Sequence, residues 1–129
     1  MPPRGGDPLR SLKIAQFLKD KVHAVNITDG SRAVMKMCSL AMSKLLLDNG
    51  IEPIMQISCR DRNKIALQSD ILGANGLGIK NILCITGDSG KAGDQPNSKA
   101  VHEFESVRLL KQIQDFNKGL DPTFEELID

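Results

Sequence analysis

Three runs rich in β-branched and aliphatic residues, at 22–28, 52–58 and 80–86, recur at intervals of about 30 residues, and a helix-compatible stretch follows each. That interval is the length of one βαβ unit. Strands joined through helices lie parallel in a single sheet, so the spacing predicts an α/β fold with helices packed outside the strands. A chain of 129 residues has the size of one such domain. The same rhythm leaves one element unmatched, because the first expected helix, at 8–21, has only the loop residues Met1 to Asp7 before it. The sheet therefore reads as an arc with its first strand missing and its edges unpaired.

Local signals set the element ends. Asp7 followed by Pro8 marks a helix entry, with a capping carboxylate and a ring pre-set for the first turn; Leu9, Leu12, Ala15 and Leu18, with Ile14 and Phe17 beside them, form its broad apolar stripe. Asp29-Gly30-Ser31 ends the first strand. From Ala33 the apolar spacing turns helical through Met35, Cys38, Ala41, Met42 and Leu45, with the methionines read as core filler, and Asn49-Gly50 closes that helix. A third helix is expected over about 63–77 and a fourth around Val107, Leu109, Leu110, Ile113 and Phe116, followed by a short acidic tail with a final helical turn after Pro122. Gly73, Gly76 and Gly78 resemble a dinucleotide fingerprint only superficially. They stand at a helix's end, where Gly78 caps and the other two allow close packing.

Composition removes several functions. Seventeen basic and sixteen acidic side chains give a net charge of +1, which leaves no electrostatic footprint for nucleic acid or an anionic membrane. Aromatic residues make up 3%, without Trp or Tyr, and offer no base-stacking platform. Cys38, Cys59 and Cys84 lie far apart and match no zinc spacing, while His23 and His102 have no metal-ligand neighbours, so no metal is expected. No apolar run approaches the roughly 20 residues of a membrane span, and the amino terminus is not a signal peptide. A soluble cytoplasmic protein with reduced thiols is the expectation.

Two strand-to-helix turns carry the candidate chemistry, since ligands of α/β folds bind at the carboxyl ends of the strands. The first is Gln56-Ile57-Ser58-Cys59-Arg60-Asp61-Arg62-Asn63, where an apolar run meets a charged, capped helix start; Arg60, Asp61 and Arg62 either contact a ligand or cap the helix and pair with one another. The second is Thr86-Gly87-Asp88-Ser89-Gly90, which ends the third apolar run and opens a long polar loop to about Glu103. Such long loops are usually functional, and a carboxylate beside a glycine suits a ligand, although an aspartate there also simply forms turns.

Pro2-Pro3-Arg4-Gly5, Thr28, the run from Gln56 to Asn63, Leu67-Gln68-Ser69-Asp70-Ile71-Leu72-Gly73, and Gly78-Ile79-Lys80-Asn81-Ile82-Leu83 leading to Thr86-Gly87-Asp88 together resemble the amino-terminal half of methylenetetrahydrofolate reductases. The likeness covers most of residues 2–110 in unbroken order and is greatest to the bacterial branch that can be fused to a homocysteine methyltransferase. It implies a partial (β/α)8 TIM barrel, with the first strand and the carboxyl-terminal half missing, so that 1–129 is an amino-terminal piece of one barrel domain with a core at 2–117. It also implies an FAD enzyme that uses NAD(P)H to reduce methylenetetrahydrofolate, the folate substrate, to methyltetrahydrofolate for methionine synthesis.

Carried over residue by residue, the family's flavin-contacting threonine falls on Thr28. An imidazole of the bacterial enzymes falls on Gln56, a departure that removes a titratable group and keeps hydrogen-bonding capacity. The aspartate beside flavin and folate falls on Asp88, after Gly87, and Thr86 stands where some members carry arginine. A flavin-binding segment falls near His102 and Glu103. The family's general-acid glutamate lies on a strand just before the two prolines; Met1 stands there instead, so the 129 residues alone are not expected to turn over. A small non-catalytic α/β binding module, or a partner subunit that completes a barrel, are the competing readings. A homo-oligomer, a fused methyltransferase domain, and NADH against NADPH are left open.

Overall fold

The computed structural model describes residues 1–120, and the acidic tail with its expected helical turn after Pro122 lies outside the described residues. Strands β1 (Val25–Ile27), β2 (Pro53–Ser58) and β3 (Asn81–Ile85) form one sheet in the order β1-β2-β3. Both pairings are parallel, with Ile27 opposite Met55 and Ser58 opposite Ile85. Helices α1 (Leu9–Leu18), α2 (Ser39–Asp48), α3 (Lys64–Gly76) and α4 (Ser106–Asn117) alternate with the strands, and short 3-10 turns sit at Ser31–Ala33 and Gly90–Ala92.

Strand alternation gives the sheet two unlike faces. On one, Val25, Ile27, Met55, Ile57, Ile82 and Cys84 meet the helices; Leu67, Ile71 and Ala74 of α3 with Leu109 of α4 make one core cluster, and Met42 and Leu46 of α2 with Ala15 of α1 make another. Burial of such side chains stabilises the layer by roughly 1.5–3 kcal/mol each. The opposite face carries Asn26, Ile54, Gln56, Asn81, Leu83 and Ile85, none of them buried. A parallel sheet normally has both faces covered. Here helices cover one.

Capping follows the sequence in four places. The Asp7 carboxylate accepts from the Leu9 amide at 2.9 Å, Asn63 accepts from the Ala66 amide at 2.9 Å, and Gly50 and Gly78 close α2 and α3 with φ of 70° and 83°. Gly73 lies against Leu40, whereas Gly76 faces open space, so close packing explains only the first.

Other boundaries differ from the periodicity. The helix expected from Ala33 begins at Ser39; residues 34–38 run extended because tertiary acceptors replace helical ones, the Met35 amide donating to Asp94 and the Met37 amide to the Pro3 carbonyl. Met35 is exposed and not core filler, whereas Met42 and Met55 are buried. Helix α1 stops at Leu18, and Asp20, at φ 64°, turns the chain, which shortens β1 to three residues. The outer side of α1 leaves Leu9, Ile14 and Phe17 exposed. Among the described residues no helix is long and apolar enough to cross a membrane.

Candidate functional site

The carboxyl ends of β1 and β2 are fastened to one another by charge taken out of solvent. Asp29, directly after Thr28 at the end of β1, accepts from the Ser58 amide at 2.8 Å and from Arg62 Nη1 at 2.7 Å. Arg62 continues to Asp70 of α3 through Nε at 2.8 Å. Burial works against the Arg62 charge, but the two carboxylates outweigh it and hold the guanidinium protonated. Arg60, also buried, makes a two-point pair with Asp61 at 2.8 and 2.7 Å and donates to the Gly30 carbonyl. The hydrogen bond from Arg60 holds the Asp61 carboxyl below the usual carboxylate range. Within the Arg60-Asp61-Arg62 turn, Arg60 and Asp61 pair with one another, Arg62 pairs outside it with Asp29 and Asp70, and Asn63 is the cap.

Glycine lets the third strand end join this rim. Gly87 adopts φ 99°, and a Cβ there would collide with Ser58 Oγ and stand 2.8 Å from Arg60 Cβ. Only a residue without a side chain brings the backbone so close, and it delivers Asp88 beside the end of β2. The Asp88 carboxylate then accepts from the Arg32 amide at 2.8 Å, which reaches back to the loop after β1. That loop is strained: Arg32 and Ala33 have φ of 59° and 53°. Two contacts brace it, since the Ala33 carbonyl lies against Gly93 where a Cβ would overlap it, and Asp94 accepts from the Met35 amide at 3.2 Å and from Arg4 at 2.7 Å.

The candidate residues fall into three places. Thr28 follows β1 and, by continuation of the register, stands beside Gln56; both sit at the open face of the sheet. Gln56 is two residues short of the end of β2, and its carbonyl accepts from Ser39 at 2.6 Å. The Thr28 hydroxyl is buried and has no hydrogen-bond partner among the described residues. Thr86, Gly87 and His102 line a cavity of about 550 Å³ over the end of β3, closed by Phe104 and Glu105. Thr86 also caps α4 by accepting from the Ser106 amide at 3.2 Å. Glu103 does not line this cavity; its carboxylate accepts from the Lys64 amide at 2.6 Å, at the start of α3. Asp88 stands between the groups on the rim and lines neither cavity found there.

Sequence reasoning missed Asp29, Arg32 and Asp94, the residues that hold the rim together. Asp29-Gly30 reads as a turn, and nothing local marks a carboxylate whose partners lie 29 and 33 positions away. Cys59 and Cys84 sit in the core behind the rim, where burial pushes both thiols up, Cys84 to about 11. They are packing residues without nucleophilic character. Among the described residues no group of three or more His, Cys, Asp or Glu is placed to hold a metal.

A family model described as methylenetetrahydrofolate reductase matches residues 1–123. No curated protein and no solved structure matches the chain. Most of the chain is thus accounted for by one family, and the chain belongs to the methylenetetrahydrofolate reductases, oxidoreductases of one-carbon metabolism built on a TIM barrel, with which the parallel arc of β1–β3 and α1–α4 is compatible.

Proposed function

We propose that the chain carries the flavin- and folate-facing rim of an enzyme that reduces 5,10-methylenetetrahydrofolate to 5-methyltetrahydrofolate with NAD(P)H through FAD. The family is generally flavin-dependent. The observation that carries the reading is Asp88, set on the rim by a glycine that admits no side chain and anchored by a backbone amide from the neighbouring strand's loop.

The residues present fit a flavin. The buried Thr28 hydroxyl lacks a partner, and leaving such a group unsatisfied costs about 1–3 kcal/mol, which a ligand acceptor would return. Thr28 and Gln56 would orient the ring by hydrogen bonds, Thr86, Gly87 and His102 would border it from the β3 side, and Glu103 would act on it through the segment it fixes to α3. FAD, when bound, supplies the hydride taken from NAD(P)H. Asp88 acts on the folate: opening the methylene bridge develops an iminium cation at N5, and a fixed carboxylate stabilises that charge more than the neutral ground state. The same charge beside a flavin disfavours its anionic reduced form.

Asp29, Asp61 and Asp94 are each paired with an arginine, and Glu103 accepts from the Lys64 amide, so their contacts serve the rim itself. Among the described residues nothing covers the sheet face that carries Gln56. We therefore assign residues 1–129 to part of one barrel domain and infer that turnover requires further strands over that face, in the cytoplasm where folate chemistry runs. Expression of the complete gene tests this reading. A yellow protein that oxidises NAD(P)H when methylenetetrahydrofolate is supplied supports it; a colourless protein overturns it.

A further inference from the structure

A second cavity, of about 310 Å³, lies between the loops that follow β1, β2 and β3, and shares only Gly90 and Ala100 with the cavity over β3. Its hydrogen-bond inventory is lopsided. Three carboxylates line it, and both oxygens of each already accept from this chain. Asp29 takes the Ser58 amide and two Arg62 nitrogens, Asp61 takes Arg60 Nε and Nη2, and Asp94 takes the Met35 amide and Arg4.

The donors are not exhausted. Arg62 uses all three nitrogens on Asp70, Asp29 and the Ser58 carbonyl. Arg60 uses Nε and Nη2, and its Nη1 has no partner among the described residues although the residue is only 5% exposed. Lys36 Nζ meets only Ser31 Oγ, at 3.0 Å, and the Met1 sulfur. Lys99, exposed at the cavity's edge, has no hydrogen-bond or ion-pair partner among the described residues. A cavity whose three carboxylates are each paired within the chain while one guanidinium nitrogen and two ammonium groups stay free takes a ligand that brings acceptors and negative charge. Its volume is at the small end for ligand pockets, roughly 300–1,000 Å³, which suits one charged group better than a whole dinucleotide.

The geometry points to an oxyanion subsite formed by Arg60 Nη1, Lys36 and Lys99, which takes the charged end of a reactant whose reacting ring lies on the adjoining rim. The buried guanidinium is pre-oriented by Asp61 and gives direction, while the two lysines act as point charges. Resting on the function proposed above, two reactants bring such an end: the diphosphate of the reduced nicotinamide dinucleotide and the glutamate carboxylates of the folate. The chemistry recognised is the same in both.

Calorimetric titration of the full chain at low salt, with inorganic pyrophosphate and separately with γ-linked triglutamate, tests the subsite. Lys99→Gln and Lys36→Gln are each expected to weaken binding by about three- to tenfold, and Arg60→Gln to abolish it. The lysine variants keep the test readable if Arg60→Gln fails to fold. Tighter pyrophosphate binding assigns the subsite to a dinucleotide diphosphate, that of the reduced nicotinamide if pyrophosphate still binds to flavin-loaded protein, and tighter triglutamate binding assigns it to the folate. Binding of neither probe, or binding that the Lys36→Gln/Lys99→Gln double variant leaves unchanged, overturns the subsite. FAD content of the complete gene product separates the two readings: pyrophosphate bound through Lys99 by a complete protein that takes up no flavin keeps the subsite and removes the reductase reading, and a flavin-loaded protein that binds neither anion does the reverse.

Discussion

Gly87 shows how far a single residue reaches. Its φ of 99° and the nearness of Ser58 Oγ mean that Gly87→Ala adds both backbone strain and a collision, for an expected loss of about 2 kcal/mol or more. Gly76→Ala is the matched control: its Cβ enters open space at the end of α3, and it should stabilise by up to about 1 kcal/mol. Urea midpoints of the two variants measure the contrast. The thiols make a second case. At pH 8 a thiol reagent should label exposed Cys38 and leave Cys59 and Cys84 untouched in the folded protein. Because burial raises the folded-state value for Cys84 above the ordinary 9.0, its contribution to stability is complete below pH 9 and fades as pH rises through about 11. Gly87, Asp88 and Thr86 were legible in the sequence because a glycine and an aspartate after an apolar run signal a turn by themselves. Asp29 and Arg32 were not, since their meaning lies in partners across the rim.

At the scale of elements, the ends of β1 and β2 are joined to α3 through one buried chain of charges, Asp29, Arg62 and Asp70. Asp29→Ala leaves Arg62 with Asp70 alone and orphans the buried Ser58 amide, so it should cost about 2–4 kcal/mol. Asn63→Ala removes only the α3 cap and should cost about 1 kcal/mol. Equal losses in thermal or urea unfolding would show that the network does not join the elements as described. The elements were readable where periodicity and caps agree, as in α3 and β2. The periodicity misleads at 33–38, where Met35 and Cys38 mimic a helical stripe while the Met35 and Met37 amides donate to Asp94 and the Pro3 carbonyl, and at 22–24, where the turn through Asp20 consumes residues of strand composition. Sequence periodicity registers side chains; it carries no signal for backbone groups claimed from a distance.

The whole molecule is an arc of parallel strands with helices on one face and a charged, glycine-dependent rim at the carboxyl ends. The 30-residue rhythm alone reveals the parallel order, and the family resemblance adds the barrel. What neither gives is how the rim divides, with Thr28 and Gln56 at the open face, Thr86 and His102 in one cavity, and Asp88 anchored between them. If Asp88 lies beside the flavin, its charge must be felt in the redox equilibrium. The most direct measurement is the two-electron potential of FAD bound to the complete enzyme, with and without Asp88→Asn, a change that keeps an oxygen for the Arg32 amide. Loss of the negative charge should raise the potential by about 30 mV, a tenfold change in the equilibrium. A potential that Asp88→Asn leaves unmoved would contradict the placement of Asp88 at the flavin and, with it, the proposed site.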